Sequence, residues 1–305
     1  MVYLQLLLMV IIWSFSFIVV DIGLEIITPM ALALHRFVLA SISFIIIRIF
    51  ITLNNRRKPP ENQDQNPFKI SKFHFLLFVV ASFSGISLFF FSQYTSIQVI
   101  GPSLPALFVC LLSPVLISIL ALIFFKEKLN KFKVVGFVIA TIGGFLLITG
   151  GDITVLFPQS ANFIGYFYAL LTPFLWAIYS TVTKHLTKTK DTFKVLEFIT
   201  YLGAIELIFF ALLTGNFFIF LKFCFHPIVL VSSFYLGVGC HIIGYHIWNS
   251  SQKKSESLKT ASFLYIEPFL TLFFSFLFQR NEVIVPLNII GGIIVLVAVL
   301  IINYF

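Results

Sequence analysis

Glu267 is an ionisable side chain inside an apolar run, and Thr271 and Ser275 follow it at four and eight residues. On a helix these three share a face, and the carboxylate lies about two turns into the run. A carboxylate at that depth in a membrane marks a substrate or proton contact; the plainer alternative is a polar network with Ser or Tyr neighbours. Pro268 removes a backbone donor beside it, which favours a kink and a gate. A second stripe, Gly237, His241, Tyr245 and Trp248, recurs at spacings of four, four and three. Facing lipid, His241 would be costly, so it should point inward, either lining a cavity or bridging helices through a hydrogen bond. Imidazole and carboxylate could carry a coupling proton, and the aromatic rings offer apolar contact and cation–π attraction.

Other ionisable groups read as structural. Arg36, beside His35, is expected to snorkel to the interface or to pair with Asp21 or Glu25. Glu127 and Glu282 sit at helix starts, where a carboxylate complements the dipole. Glu206 is buried in apolar sequence with no partner assignable, and Glu197, near Lys194, reads as a surface group. Cys110, Cys224 and Cys240 have no pair spacing, so neither a disulfide framework nor a zinc site is readable. No metal or cofactor is expected.

The elements that must position these groups are membrane helices. The chain is 59% hydrophobic and 10% charged, with 40 phenylalanines, more apolar surface than a soluble fold could hide. Its apolar runs are about 20 residues long. Ten spans are read, at 3–20, 30–51, 73–91, 103–125, 132–149, 162–183, 193–213, 228–248, 260–279 and 284–304. The first lacks a basic leader and a small-residue cleavage site, so it is expected to be retained. The polar stretch Asn54–Lys72 reads as a loop with no core of its own. Lys and Arg cluster on alternate loops, at Arg56–Lys72, Lys126–Lys133, Lys184–Lys194 and Lys253–Lys259, with only Lys222 and Arg280 opposite. This asymmetry places those loops and both termini in the cytoplasm. The net charge of +8 is thus a topology signal, and nucleic-acid binding is not needed to explain it.

Two stretches match at a fixed offset. Tyr94 and Trp248 each precede a proline by 20 residues, Pro114 and Pro268. Charged turns follow, Lys126-Glu127-Lys128 and Arg280-Asn281-Glu282, and then Gly136 and Gly291. Such a repeat reads as an internal duplication, with units at 1–150 and 161–305. Five spans per unit forces the second to enter the membrane inverted, a transporter arrangement with its site near the midplane. Gly136, Ala140 and Gly144 form a small-residue seam for packing, within the repeat or in a dimer.

The order of these motifs resembles the EamA branch of the drug/metabolite transporter superfamily. The resemblance rests on Trp13-Ser-Phe-Ser-Phe, Pro29…His35-Arg36-Phe37, Tyr94-Thr-Ser, Pro114, Lys126-Glu127 and Gly136…Gly143-Gly144. In the second half it rests on Trp176-Ala-Ile-Tyr179, Trp248, Glu267-Pro268, Glu282 and Gly291. It covers nearly the whole chain; the Arg280-Asn281-Glu282 turn departs from its first-half counterpart. It implies an all-α membrane protein of ten transmembrane helices in two inverted five-helix repeats. It also implies a cavity lined by helices 1, 3, 4, 6, 8 and 9, and small-metabolite transport, often export.

The expected substrate-binding residues are Trp13, Ser87, Tyr94, Trp176, Tyr179, His241, Tyr245, Trp248, Glu267 and Thr271. Expected partners are a small-molecule substrate such as an amino acid, the lipid bilayer of the cell membrane and a coupling proton, in a monomer or homodimer. The alternatives are a passive facilitator and an intramembrane serine hydrolase using Ser87 or Ser103 with His241 or His246. A hydrolase leaves the duplication unexplained, so the chain is read as no enzyme.

Overall fold

The structure, a computed structural model, describes residues 2–56, 71–127, 130–156, 163–280 and 285–304. The described residues are helical with no strand. The long helices are α1 (Val2–Leu24), α2 (Pro29–Arg56), α3 (Lys72–Ile100), α4 (Ser103–Phe125) and α5 (Lys131–Thr149). They continue as α6 (Phe163–Thr189), α7 (Thr192–Leu213), α8 (Pro227–Lys254), α9 (Ser257–Leu277) and α10 (Pro286–Tyr304). Of these, α1–α4 and α6–α9 are eight helices long and apolar enough to cross a membrane, and Pro286–Ile302 of α10 is a shorter apolar helix. A short helix, Asn216–Lys222, joins α7 to α8 and was not legible as a span. Most of the polar loop expected at Asn54–Lys72, together with Lys128 and Glu282, lies outside the described residues.

Helices are the form open to such sequence, because each satisfies its backbone groups internally. Their ends follow local chemistry. Asn130 and Asp191 accept from the backbone N–H groups of Lys133 and Lys194, capping α5 and α7. Gly101, at φ +79°, closes α3 where a Cβ would be strained. The outer faces carry exposed Leu4, Phe50, Phe124 and Phe209, an apolar surface suited to lipid.

Three helices change winding along their length. α3 is a π-helix over Phe83–Ser87, and α8 is one over Tyr235–Tyr245. The 154-residue offset that aligns Tyr94 with Trp248 also carries the first π segment onto the second. A π turn takes up more residues than an α turn, so side chains beyond it rotate off the face that α periodicity assigns them. α9 passes from α to 3-10 at Phe263–Ile266 and resumes as α at Glu267, with Pro268 in the new first turn. Proline is tolerated there because its missing N–H would have had no helical partner.

The small-residue seam operates inside the chain. α5 and α10 form the most extensive helix pair. A Cβ on Gly291 would lie 2.3 Å from the Leu147 amide nitrogen and 2.6 Å from the Gly143 carbonyl oxygen. Gly136 packs against Ile302 of α10, whereas Gly144 turns to Leu111 of α4. The seam therefore uses Gly136 and Gly143, where the sequence reading chose Gly144.

Two carboxylates take partners other than those expected. Glu197 is buried, not a surface group: it pairs with Arg48 across α2 and α7 and accepts from the Tyr201 hydroxyl at 3.1 Å. Glu127 serves the start of α9, accepting the Ser257 backbone N–H at 2.9 Å, while Asn130 caps α5.

Candidate functional site

A small cavity of about 40 Å³ opens at mid-depth in the bundle. Trp13, Phe17, Phe89, Phe90, Trp176 and Tyr245 give it an aromatic wall, with Val109 and Leu264 adding aliphatic surface. Its polar groups are Ser16, Arg36, Gln93, Cys110, Cys240 and Glu267. The lining comes from α1, α3, α4, α6, α8 and α9, as the resemblance implied, and also from α2 through Arg36.

The aromatic side chains hold one another in place. Trp13 donates its indole N–H to the Cys240 carbonyl at 3.0 Å and meets Trp176 edge-on, with centroids 5.3 Å apart. Gly244 makes this possible, because a Cβ there would come within 2.3 Å of the Trp13 Nε1. Trp176 stacks on Tyr179 at 5.1 Å and packs edge-on against Tyr245 at 5.2 Å. Next to this layer Asn249 donates to the Tyr179 hydroxyl at 2.8 Å, and Trp248 donates to Ser180 at 3.2 Å. These bonds tie α6 to α8 on the side nearer the Lys-rich helix ends.

Arg36 is the main departure from the sequence expectation. It neither snorkels nor pairs with Asp21 or Glu25. Arg280 takes both of those carboxylates, at 2.6 Å each. Arg36 is buried, donates from Nη1 to the Tyr94 hydroxyl at 2.8 Å, and lies 3.9 Å from the Phe90 ring centroid. Its Nε has no hydrogen-bond partner, and no carboxylate pairs with it among the described residues. Across the same cavity Glu267 is buried, and the Cys110 thiol donates to it at 3.4 Å.

Of the ten residues expected at the site, Trp13, Trp176, Tyr245 and Glu267 line the cavity. Tyr94, Tyr179 and Trp248 are buried behind it and hold Arg36, Trp176 and the aromatic layer. Ser87, His241 and Thr271 face elsewhere. The Ser87 hydroxyl donates to Glu206 at 2.6 Å, as does that of Ser82, which gives Glu206 its partners. His241 Nε2 hydrogen-bonds Thr200 at 2.7 Å, with the ring against Phe37 and Tyr245. Thr271 donates to the Ser14 carbonyl at 3.4 Å. Both Ser87 and His241 sit in the π segments and reach α7, whereas Tyr245, in the same segment as His241, lines the cavity. Among the polar lining residues, Ser16, Arg36, Gln93, Cys110 and Cys240 were missed; an arginine inside an apolar run was the one signal available.

A multi-pass bundle of apolar helices, with charged and aromatic side chains turned onto an internal cavity, is the build of a membrane transport protein. The model of the EamA-like transporter family matches residues 1–149 and 163–304, and the chain belongs to that family. It is 26% identical over 299 residues to a protein of Archaeoglobus fulgidus described as an uncharacterized transporter, covering 97% of this chain and 95% of that one. It is 27% identical over 283 residues to the uncharacterized transporter YyaM of Bacillus subtilis, covering 90% and 84%. A solved crystal structure matches 99% of the chain and 96% of its own length with a TM-score of 0.72 at 15% identity, a likeness of fold.

Proposed function

We propose that the protein is a carrier that moves a small metabolite, an amino acid or similar, across the cytoplasmic membrane by alternating access. Two inverted five-helix repeats, 1–150 and 161–305, would rock against each other about the central cavity. The observation that carries this reading is the cavity itself: a buried arginine, Arg36, and a buried glutamic acid, Glu267, both on its wall at mid-depth and backed on one side by the aromatic layer. Such groups are expensive in a membrane and are retained where a ligand or ion meets them. The export direction rests on the family resemblance. Both termini and the Lys-rich loops are cytoplasmic by charge asymmetry. Glu267 is the group proposed to carry a coupling proton. The carrier works as a monomer or a homodimer, its glycine seam being used within one chain.

The test is transport in proteoliposomes under an imposed pH gradient. Wild type accumulates substrate against its gradient, and Glu267→Gln loses the pH dependence while keeping its thermal stability. Equal transport by both proteins at every pH would overturn the proton role; equilibration without accumulation would identify a passive facilitator. For the hydrolase alternative, Ser87 bonds Glu206 and His241 bonds Thr200, so these two are not assembled as a nucleophile and its base.

A further inference from the structure

We infer that a cleft between α3 and α4, floored by α6, holds an acyl chain of an anionic phospholipid, with the lipid phosphate at His185 and Lys188. The site lies on the Lys-rich side of the bundle, apart from the central cavity, and does not depend on what the protein carries.

The first observation is the cleft itself. It encloses about 570 Å³, within the range of small-ligand sites, roughly 300–1,000 Å³. Its walls are apolar, with Phe73 and Leu77 of α3, Leu120 and Phe124 of α4 and Ile178 of α6. Phe73, Phe124 and Ile178 are exposed, so it opens on the outer surface of the bundle. The first turns of α3 pack chiefly on α6 and α7, which leaves the gap beside α4.

The second observation is that the matching place in the other half of the chain is closed. Phe274 and Phe278 stand 154 residues beyond Leu120 and Phe124, and Phe15 follows Trp13 as Ile178 follows Trp176. Phe15 meets Phe274 and Phe278 with ring centroids 5.3 Å apart in each case, and Tyr235 at 5.5 Å. Aromatic rings pack there, where the first half has the smaller Leu120 and Ile178. The architecture can be packed shut at this place, so the opening belongs to the residues of the first half.

The third observation is charge at the mouth. Ile178, Thr181, His185 and Lys188 follow at three, four and three residues, along one face of α6. Thr181 and His185 are polar lining residues of the cleft. The Lys188 ammonium lies 4.4 Å from the ring centroid of Phe125, which also lines it, and forms no ion pair among the described residues. His74 lies within electrostatic reach of both His185 and Lys190. Neighbouring acids are engaged elsewhere: Glu127 by Lys184 and the Ser257 amide, and Asp191 as the cap of α7. An apolar slot with cations at its mouth and no carboxylate on its wall fits a chain headed by a phosphate. Basic pockets between membrane helices take anionic headgroups in this way. A zwitterionic lipid could fill the slot, but it would bring its own cation to the rim.

The test is native mass spectrometry of the detergent-solubilised protein titrated with dioleoylphosphatidylglycerol or dioleoylphosphatidylcholine. These probes share their chains and differ in headgroup charge. The anionic lipid should bind more tightly to wild type. Lys188→Gln should cost it about fivefold in affinity, the worth of one lysine beside a lipid phosphate, and leave the zwitterionic lipid unchanged. Lys222→Gln, on the short helix after α7, is the control and should alter neither. Leu120→Phe with Ile178→Phe copies the closed half and should abolish the anionic preference; Ile178→Phe alone should weaken it. Thermal unfolding shows which variants are folded, and the single variant carries the test if the double one is not. Equal affinity of wild type for the two lipids overturns the inference. So does an anionic preference that survives Lys188→Gln, or one that survives the filled cleft and is then a surface attraction only. Competition by glycerol phosphate, which has the headgroup charge and no chains, also overturns it and leaves a site for a soluble anion.

Discussion

Lys184 and Glu127, 57 positions apart in the chain, meet with Nζ 2.6 Å from Oε1, and the same carboxylate accepts the Ser257 backbone N–H. Lys184 also donates to the Ser257 hydroxyl at 2.8 Å and to the Ser255 carbonyl at 3.1 Å. The network joins the end of α4, the last turns of α6 and the start of α9, on the side of the aromatic layer away from the cavity. At the other end of the bundle Arg280 links the residues after α9 to Asp21 and Glu25 at the end of α1. Each ion-pair cluster ties the first half of the chain to the second, through Glu127 with Lys184 and Ser257 and through Asp21 and Glu25 with Arg280.

Removing one partner of the Lys184–Glu127 pair strands the other, since both side chains are about nine-tenths buried, at 9% and 11% exposure. Glu127→Gln and Lys184→Met should each cost about 3 kcal/mol, read as a fall in thermal midpoint in detergent. The doubly neutral protein should recover part of that loss. Additive losses in the double variant would show that the two groups act independently.

The pH dependence of stability should show a component from Glu256, between α8 and α9. The hydrogen bond from Lys133 holds this carboxyl below its ordinary 4.5, against a smaller opposing effect of burial. An acid whose pKa is depressed by folding contributes stability above its unfolded-state value and loses it as pH falls through the folded-state value. The gap in melting temperature between wild type and Glu256→Gln should therefore be steady between about pH 6 and 8 and close below about pH 4.5. It should be small and shrink in high salt, because the Glu256 side chain is 49% exposed. A gap that widens on acidification would contradict the pairing.

Glycine positions give a sharper packing test. Gly291→Ala pushes a methyl group into the backbone of α5, which cannot move aside as a side chain could. The expected loss is about 1–3 kcal/mol. Gly239→Ala is the control, because its nearest neighbour would be Tyr235 at an ordinary 3.7 Å. Equal melting temperatures for the two variants would mean that α5 and α10 are not in close contact.

Topology has a native reporter. Cys224 is partly exposed between the short helix Asn216–Lys222 and α8, whereas Cys110 and Cys240 are buried. With the Lys-rich ends cytoplasmic, a membrane-impermeant maleimide should label Cys224 in intact cells and leave Lys254→Cys untouched until the cells are lysed. The reverse pattern would invert the assignment.

What the sequence determined alone were properties set by neighbours along the chain. Hydropathy over about 20 residues established the helices and their membrane setting, because backbone pairing in lipid is satisfied within each segment. The spacing of Tyr94, Trp248, Pro114 and Pro268 is what points to a duplication, and an acid in apolar sequence singled out Glu267, which does line the cavity. The tertiary structure decided which remote group each polar side chain meets. Arg280 follows Asp21 by 259 positions yet takes its carboxylate, and so leaves Arg36 to Tyr94 and the cavity. His241 and Ser87 meet Thr200 and Glu206 of α7, partners on another helix that no stripe along one helix can show. Glu127 serves the start of α9 for the same reason that Arg36 is misjudged from sequence. A buried charge is satisfied by whatever packing brings within about 3 Å, and sequence distance does not limit that choice.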